Sequence, residues 1–176
     1  MKTLVLNSSP RHGGNCDLLC DEWIKGARDK GHEVEKVMLE DMNISTCKAC
    51  YACRTTKCCF QNDGINELME KMIEADVIVM ATPIYFYSLS GQMKCLIDRC
   101  LPRYREMVDK QFVFIVTAAD PNHSGCAEAI NSMRGFLRCL PGAKVKDILY
   151  GSGAWDKGDV LKLPVLKEAY QSGYSL

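Results

Sequence analysis

The chain has no long hydrophobic run, no excess of charge of either sign and no signature of hydrolytic catalysis. Its 22 lysines and arginines balance 22 aspartates and glutamates over 176 residues, so nothing marks a nucleic-acid or membrane surface. The N-terminal apolar run stops at Ser8-Ser9-Pro10, far short of a signal peptide or a membrane span. Neither G-x-S-x-G nor H-E-x-x-H occurs, and His12, His32 and His123 stand isolated. The dinucleotide fingerprint G-x-G-x-x-G and the Walker loop are both missing. Any phosphate is therefore held without the Mg²⁺ and lysine apparatus, which favours a cofactor monophosphate over a triphosphate being hydrolysed. No repeat, low-complexity tract or linker divides the chain, so residues 1–176 are expected to form one domain.

Cysteine is abundant, with eleven in the chain. The odd number, the clustering and the missing secretion signal argue against a disulfide framework. A reducing cytoplasm is expected, where clustered thiols point to metal or redox chemistry.

Strand and helix signals alternate along the chain. Thr3 to Leu6, Val77 to Ala81, Phe112 to Thr117 and Val145 to Tyr150 are short β-prone apolar runs, and His32 to Leu39 alternates like an edge strand. Between them run amphipathic stripes: Leu19-Trp23-Ala27, Ile65-Leu68-Met69-Met72, Met93-Leu96-Cys100 and Ile130-Met133-Leu137. Asn15 and Ser124 are candidate helix N-caps and Gly31 a candidate C-cap. A short C-terminal helix is expected over 164–171. Residues 41–61 lack periodicity. Such alternation predicts a parallel, doubly wound sheet. Ligands then sit beyond the carboxyl ends of the strands. Three loops meet that condition: Ser8 to Asn15, Thr82 to Gly91 and Thr117 to Ser124.

The first of these loops offers an anion unpaired backbone N–H groups, the positive end of a helix dipole, the Ser8 and Ser9 hydroxyls and the Arg11 guanidinium. The plainer alternative is an ordinary Gly/Ser turn. The second loop places Tyr85, Phe86 and Tyr87 side by side at a strand end, where they can flank a planar ring; the alternative is core or subunit interface. A phosphate loop beside an aromatic loop points to flavin mononucleotide (FMN).

Four segments together resemble the NAD(P)H-dependent FMN reductases and iron–sulfur flavoproteins: Asn7-Ser8-Ser9-Pro10-Arg11-x-x-Gly14-Asn15, Cys47-x-x-Cys50-x-x-Cys53, Ala81-Thr82-Pro83-Ile84-Tyr85-Phe86, and Ser90-Gly91-Gln92-Met93-Lys94-x-Leu96-Ile97-Asp98-Arg99. The likeness covers the first hundred residues best. It implies a flavodoxin-like five-stranded sheet of order 2-1-3-4-5 with helices on both faces. It implies FMN phosphate held by Ser9, Arg11, Asn15 and Cys16. The isoalloxazine ring would be held by Pro83, Ile84, Tyr85 and Phe86, and by Thr117 to Ala119. A homodimer or homotetramer is also implied. Three positions depart from the pattern: Cys16 where threonine is common, and Ser8 and Tyr87 where glycine is.

Cys47, Cys50 and Cys53 with a fourth thiolate, Cys59 or alternatively Cys58, can wrap a [4Fe–4S] cluster. A metal-free state is the next reading and zinc the last. Cys20, Cys95, Cys100, Cys126 and Cys139 are expected as small core residues. No protein nucleophile is needed when a cofactor carries the chemistry. The leading expectation is an FMN-dependent oxidoreductase passing electrons from NAD(P)H to a quinone, flavin or other small acceptor. The alternative is an electron carrier with FMN and a [4Fe–4S] cluster, fed by a redox protein such as ferredoxin. A zinc-stapled, flavin-free module ranks third.

Overall fold

A computed structural model describes all 176 residues. Strands β1 (Lys2–Asn7), β2 (Glu33–Met38), β3 (Val77–Pro83), β4 (Gln111–Ala118) and β5 (Lys144–Ser152) form one parallel sheet in the order 2-1-3-4-5. The three inner strands are buried on both faces, which is why they read as unbroken apolar runs rather than alternating ones. β1 sits between β2 and β3, with Thr3 opposite both Val34 and Val77. Both neighbours of β1 are reached by crossovers in opposite directions, so a crevice opens at the carboxyl ends of β1 and β3.

Helices α1 (Asn15–Asp29), α2 (Cys53–Thr56), α3 (Ile65–Glu74), α4 (Gly91–Arg99), α5 (Ala127–Leu137) and α6 (Val165–Tyr174) complete the fold. The stripes of α3, α4 and α5 pack on one face of the sheet, with Met69, Met72 and Met93 buried as core filler. α1 and α6 cover the other face around Trp23. The two cross at very close range. A Cβ on Gly26 would stand 2.0 Å from the Tyr170 carbonyl oxygen, so only glycine permits this crossing. The Trp23 indole N–H, buried in the same seam, donates to Ser172 Oγ at 3.2 Å.

Both expected N-caps are corrected. Gly14 is the N-cap of α1 and Asn15 its first helical residue; no side chain caps that end. Ser124 lies inside a short 3-10 turn, His123–Cys126, that leads into α5. At the other end of α1, Lys30 is the C-cap and Gly31 the residue just after it. Gly31 takes φ +92°, and the bonds Gly31 N–H to Arg28 and His32 N–H to Ala27 close a Schellman motif. Of the cysteines expected in the core, Cys20, Cys100 and Cys126 are buried and Cys95 partly so; Cys139 is exposed. The buried face runs through Phe136, Leu137 and Leu140, and Cys139 falls off it. Residues 43–64 contain no strand and only the four-residue α2.

Candidate functional site

The cleft at the carboxyl edge of the sheet has a volume of about 270 Å³. Its first wall is the loop after β1. Asn7, fully buried, turns its side chain back under the loop: its Oδ1 accepts from the Ser9 N–H at 3.0 Å and its Nδ2 donates to Asp17 Oδ1 at 3.0 Å. The Gly13 N–H donates to Asp17 Oδ2 at 2.7 Å. Ser9 Oγ accepts from the Arg11 N–H, which leaves its own proton free to donate. The N–H groups of His12, Asn15, Cys16 and Asp17 have no acceptor within the chain. Gly14 matters sterically, since a Cβ there would lie 2.9 Å from the Arg11 carbonyl oxygen. The result is a shaped loop that presents donors at the start of a 15-residue helix, with exposed Arg11 beside them.

Ser8 is a strut. Its Oγ donates to the Ala81 carbonyl at 2.9 Å and meets Ser90 Oγ at 2.9 Å. Ser90 in turn caps α4 by accepting from the Met93 N–H. The hydroxyl thus ties the first loop to both ends of the second.

The second wall is Pro83, Ile84 and Tyr85. The Ile84 N–H donates to the Thr117 carbonyl at 2.8 Å, extending the ladder past the end of β3. Tyr85 and Ser88 then exchange both backbone hydrogen bonds. That closes a two-residue turn with Phe86 at φ +48° and Tyr87 at φ +64°. Such turns require left-handed residues, which is why glycine or asparagine usually fills them. Phe86 therefore caps the hairpin, wholly exposed, and does not line the cleft with its neighbours.

Thr117, Ala118 and Ala119 form the floor. Cys16 is buried among them. Burial pushes its thiol up to about 12, against the opposing hydrogen bond to Thr117 Oγ1 at 3.0 Å. The thiol stays neutral and unreactive, and Cys16 offers an anion its backbone N–H.

A fourth wall, Ala154, Trp155 and Asp156, was not anticipated. It follows β5 as the other loops follow their strands, and the Gly-rich run 151–158 was its signal. The Asn15 amide holds it in place, donating to the Asp156 carbonyl at 2.9 Å and accepting from the Gly158 N–H at 2.9 Å. Asn15 lines the cleft but spends its side chain on this tie. The ring of Trp155 is largely exposed. His123 lies outside the cleft, stacked on Tyr150 at 4.3 Å.

Cys47, Cys50, Cys53 and Cys59 line a separate, tight hollow of about 30 Å³, rimmed by Tyr51, Phe60 and Leu101. Cys58 is exposed and does not line it. Burial, then the neighbouring Cys59, Cys50 and Cys47 thiols, push the Cys53 thiol up. The sulfurs are near one another without converging: no three metal-ligating side chains gather around one point. The hollow is anchored by Arg99, whose guanidinium is fully buried. It makes two bonds to Asp63, at 2.8 and 2.9 Å, and reaches the Ser45 carbonyl at 2.7 Å and Cys59 Sγ at 3.2 Å. Its Nε–H has no partner. Burial would raise the Asp63 carboxyl, but Arg99 outweighs it and holds Asp63 below the usual carboxylate range.

A doubly wound sheet with an anion loop after β1 and a ring-sized cleft at its carboxyl edge defines the flavodoxin-like class of cofactor-binding proteins. The chain belongs to the NADPH-dependent FMN reductase family, which it matches over residues 1–156. It is similar to an iron–sulfur flavoprotein of Methanosarcina thermophila, at 36% identity over 99 residues, covering 56% of this chain and 52% of that protein. A putative NAD(P)H-dependent FMN-containing oxidoreductase of Bacillus subtilis is 24% identical over 132 residues, 69% of this chain and 68% of its own. Among solved structures, the NAD(P)H:quinone oxidoreductase from Methanothermobacter marburgensis superposes with a TM-score of 0.78 at 18% identity, covering 99% of this chain and 96% of that one. At that identity the likeness bears on the fold alone. The chain spans about half the length of the iron–sulfur flavoproteins it matches. No helix is long and apolar enough to cross a membrane.

Proposed function

We propose that the protein is an FMN-dependent oxidoreductase that passes electrons from NAD(P)H to a quinone, a flavin or another small acceptor. One observation carries the reading: unpaired N–H groups at the start of α1 open onto the same cleft as Pro83, Ile84 and Tyr85. A phosphate monoester would take the N–H groups of Asn15 and Cys16, the Ser9 hydroxyl and the Arg11 guanidinium. A flat ring would lie against Pro83 to Tyr85 and over Thr117 to Ala119, with Trp155 at the rim. FMN supplies the redox chemistry when bound, accepting hydride from a nicotinamide and passing electrons on. The chain's own part is to hold, orient and partly desolvate. Cys16, kept protonated by burial, puts no thiolate nucleophile beneath the ring.

The exposed Phe86 and Tyr87 support a homodimer or homotetramer, in which a second subunit would cover the hairpin beside the flavin. Eleven free thiols support a reducing, cytoplasmic setting. Titration of purified protein with FMN, followed by anaerobic NAD(P)H oxidation with a quinone, tests the reading. Tight flavin binding and acceptor-dependent turnover are expected; a protein that binds no FMN ends it.

The four thiols around one hollow support a second reading, an iron–sulfur flavoprotein that relays single electrons from a redox protein such as ferredoxin to a small acceptor. The donor set fits a [4Fe–4S] cluster through Cys47, Cys50, Cys53 and Cys59, and the buried guanidinium of Arg99 suits an anionic group. Binding would have to draw the sulfurs together. Stoichiometric iron and sulfide without NAD(P)H turnover selects this reading; zinc or no metal excludes it.

A further inference from the structure

Beneath the phosphate loop lies an ion pair that takes no part in the chemistry described so far. Asp17 is the third residue of α1 and is buried; Lys36 reaches it from β2. Lys36 Nζ donates to Asp17 Oδ1 at 2.7 Å and also contacts Asp21 at the surface. The same carboxylate receives the Gly13 N–H on its other oxygen and the Asn7 amide on the first. Asn7 then holds the Ser9 N–H. Two of the loop's backbone donors thus point down into this cluster. The N–H groups of His12, Asn15, Cys16 and Asp17 are left without acceptors.

Such an arrangement fixes the loop before any ligand arrives, which saves the ordering cost on binding. It also sets a hazard. A carboxylate under an anion-binding loop repels the anion it helps to receive. Lys36 removes that hazard by neutralising Asp17 at contact distance. The pair is net neutral only while both partners are present, and Asp21 shares the lysine from the solvent side, where screening weakens it.

We propose that Asp17 and Lys36 are a charge-compensated positioning pair that shapes the loop for an organic phosphate monoester and makes the protein select phosphorylated over unphosphorylated flavin. The inference rests on the FMN reading and adds a specificity determinant to it. Neither residue is catalytic. Asn7 and the loop backbone transmit their effect.

The test is titration of the whole chain with FMN and, separately, with riboflavin, which carries the same ring without phosphate. Lys36→Met exposes the loop to an uncompensated carboxylate. It is expected to weaken FMN binding about tenfold, the scale of one unscreened charge a few ångströms away in a partly buried site, while riboflavin binding changes less than about twofold. Asp17→Asn added to Lys36→Met removes the stranded charge and should recover most of the loss. Lys36→Arg should bind FMN nearly as the parent does. Equal weakening of FMN and riboflavin would mean that the pair merely supports the fold, and would overturn the proposal. So would a double variant no better than Lys36→Met alone, or single variants with unchanged FMN affinity. A parent protein that binds neither flavin would instead remove the FMN reading itself.

Discussion

The cleft and the cysteine hollow are built on opposite plans. Every wall of the cleft follows the carboxyl end of a strand of the sheet, and its loops are cross-tied: Ser8 to Ala81 and Ser90, Asn7 to Ser9 and Asp17, Asn15 to Asp156 and Gly158. Its shape does not wait for a ligand. The hollow sits in a segment without strands. Ala49, Tyr51 and Lys57 adopt left-handed backbone conformations that cost a non-glycine residue about 1 kcal/mol or more each. Its sulfurs do not converge, and two side chains, Arg99 from α4 and Asn66 from α3, supply its polar attachment to the core. A site held by packing can be preformed; a site held by its ligand pays for order only when the ligand binds.

The largest effect is expected at Arg99, the fully buried charge beside the hollow. Arg99→Ala strands the Asp63 carboxylate and frees the Ser45 carbonyl, and removing one partner of a buried pair typically costs about 3–5 kcal/mol. Urea unfolding should report a loss of that order. Limited proteolysis should cut first within residues 44–62 while the cleft loops stay protected. If stability falls by less than about 1 kcal/mol, the hollow has other anchors and the contrast with the cleft is overstated.

Acid should affect both regions through different carboxylates. Burial alone would push the Asp17 carboxyl up, but the Lys36 ammonium and the Gly13 N–H outweigh it and hold it below the usual range. Asp63 is held low by Arg99. A carboxylate whose pKa is depressed on folding contributes stability that is present above the ordinary carboxylate pKa of about 4. That contribution is lost as pH falls through the folded value. Lys36 runs the other way. Burial would lower it, but Asp17 and Asp21 raise it, so its contribution is complete below the ordinary lysine value and is lost only at higher pH. Stability should therefore be flat across neutral pH and fall in acid. Asp17→Asn should flatten part of that fall, as followed by unfolding at stepped pH. An unchanged acid limb in this variant would mean that Asp17 is not the linked group.

The cleft has one strained feature of its own, and it bears on how far the contrast can be pushed. Tyr87 sits at φ +64° in the turn after Tyr85. Tyr87→Gly should stabilise the flavin-free protein by about 1 kcal/mol, since glycine adopts that conformation without steric cost. A shift in the thermal midpoint measures it. No gain, or a loss, would mean that the tyrosine ring makes contacts that compensate its backbone.

What could be read from the sequence divides along the same line. β1, β3 and β4 announced themselves because burial on both faces leaves an uninterrupted apolar run, and nine of the ten residues expected at the flavin site line the cleft, all but Phe86. Phe86 went astray because the Tyr85–Ser88 pairing turns it outward, and that pairing depends on backbone angles that aromatic residues seldom adopt. Trp155 was missed because the loop after β5 is not among the three loops expected to meet a ligand. Arg99 lay in a recognised segment, yet its partner is 36 residues away and no periodicity links them. Asn15 looked like a cap because its residue type favours that role. Here its amide is engaged 141 residues along the chain instead, and tertiary demand overrode a local preference.

The smallest effect on stability should come from the residues that carry the most chemistry. Cys47 and Cys50 are exposed and Cys53 only partly covered, so replacing all three with serine removes little packing. In metal-free protein the change should stay within about 0.5 kcal/mol, as for surface substitutions. FMN affinity should not move, because none of the three lines the cleft. Anaerobic reconstitution with iron and sulfide separates the two regions: the parent should gain both a broad iron–sulfur absorbance and thermal stability, and the triple variant neither. If the metal-free variant is already destabilised by several kcal/mol, the thiols hold the loop together without a metal. The hollow would then be as preformed as the cleft.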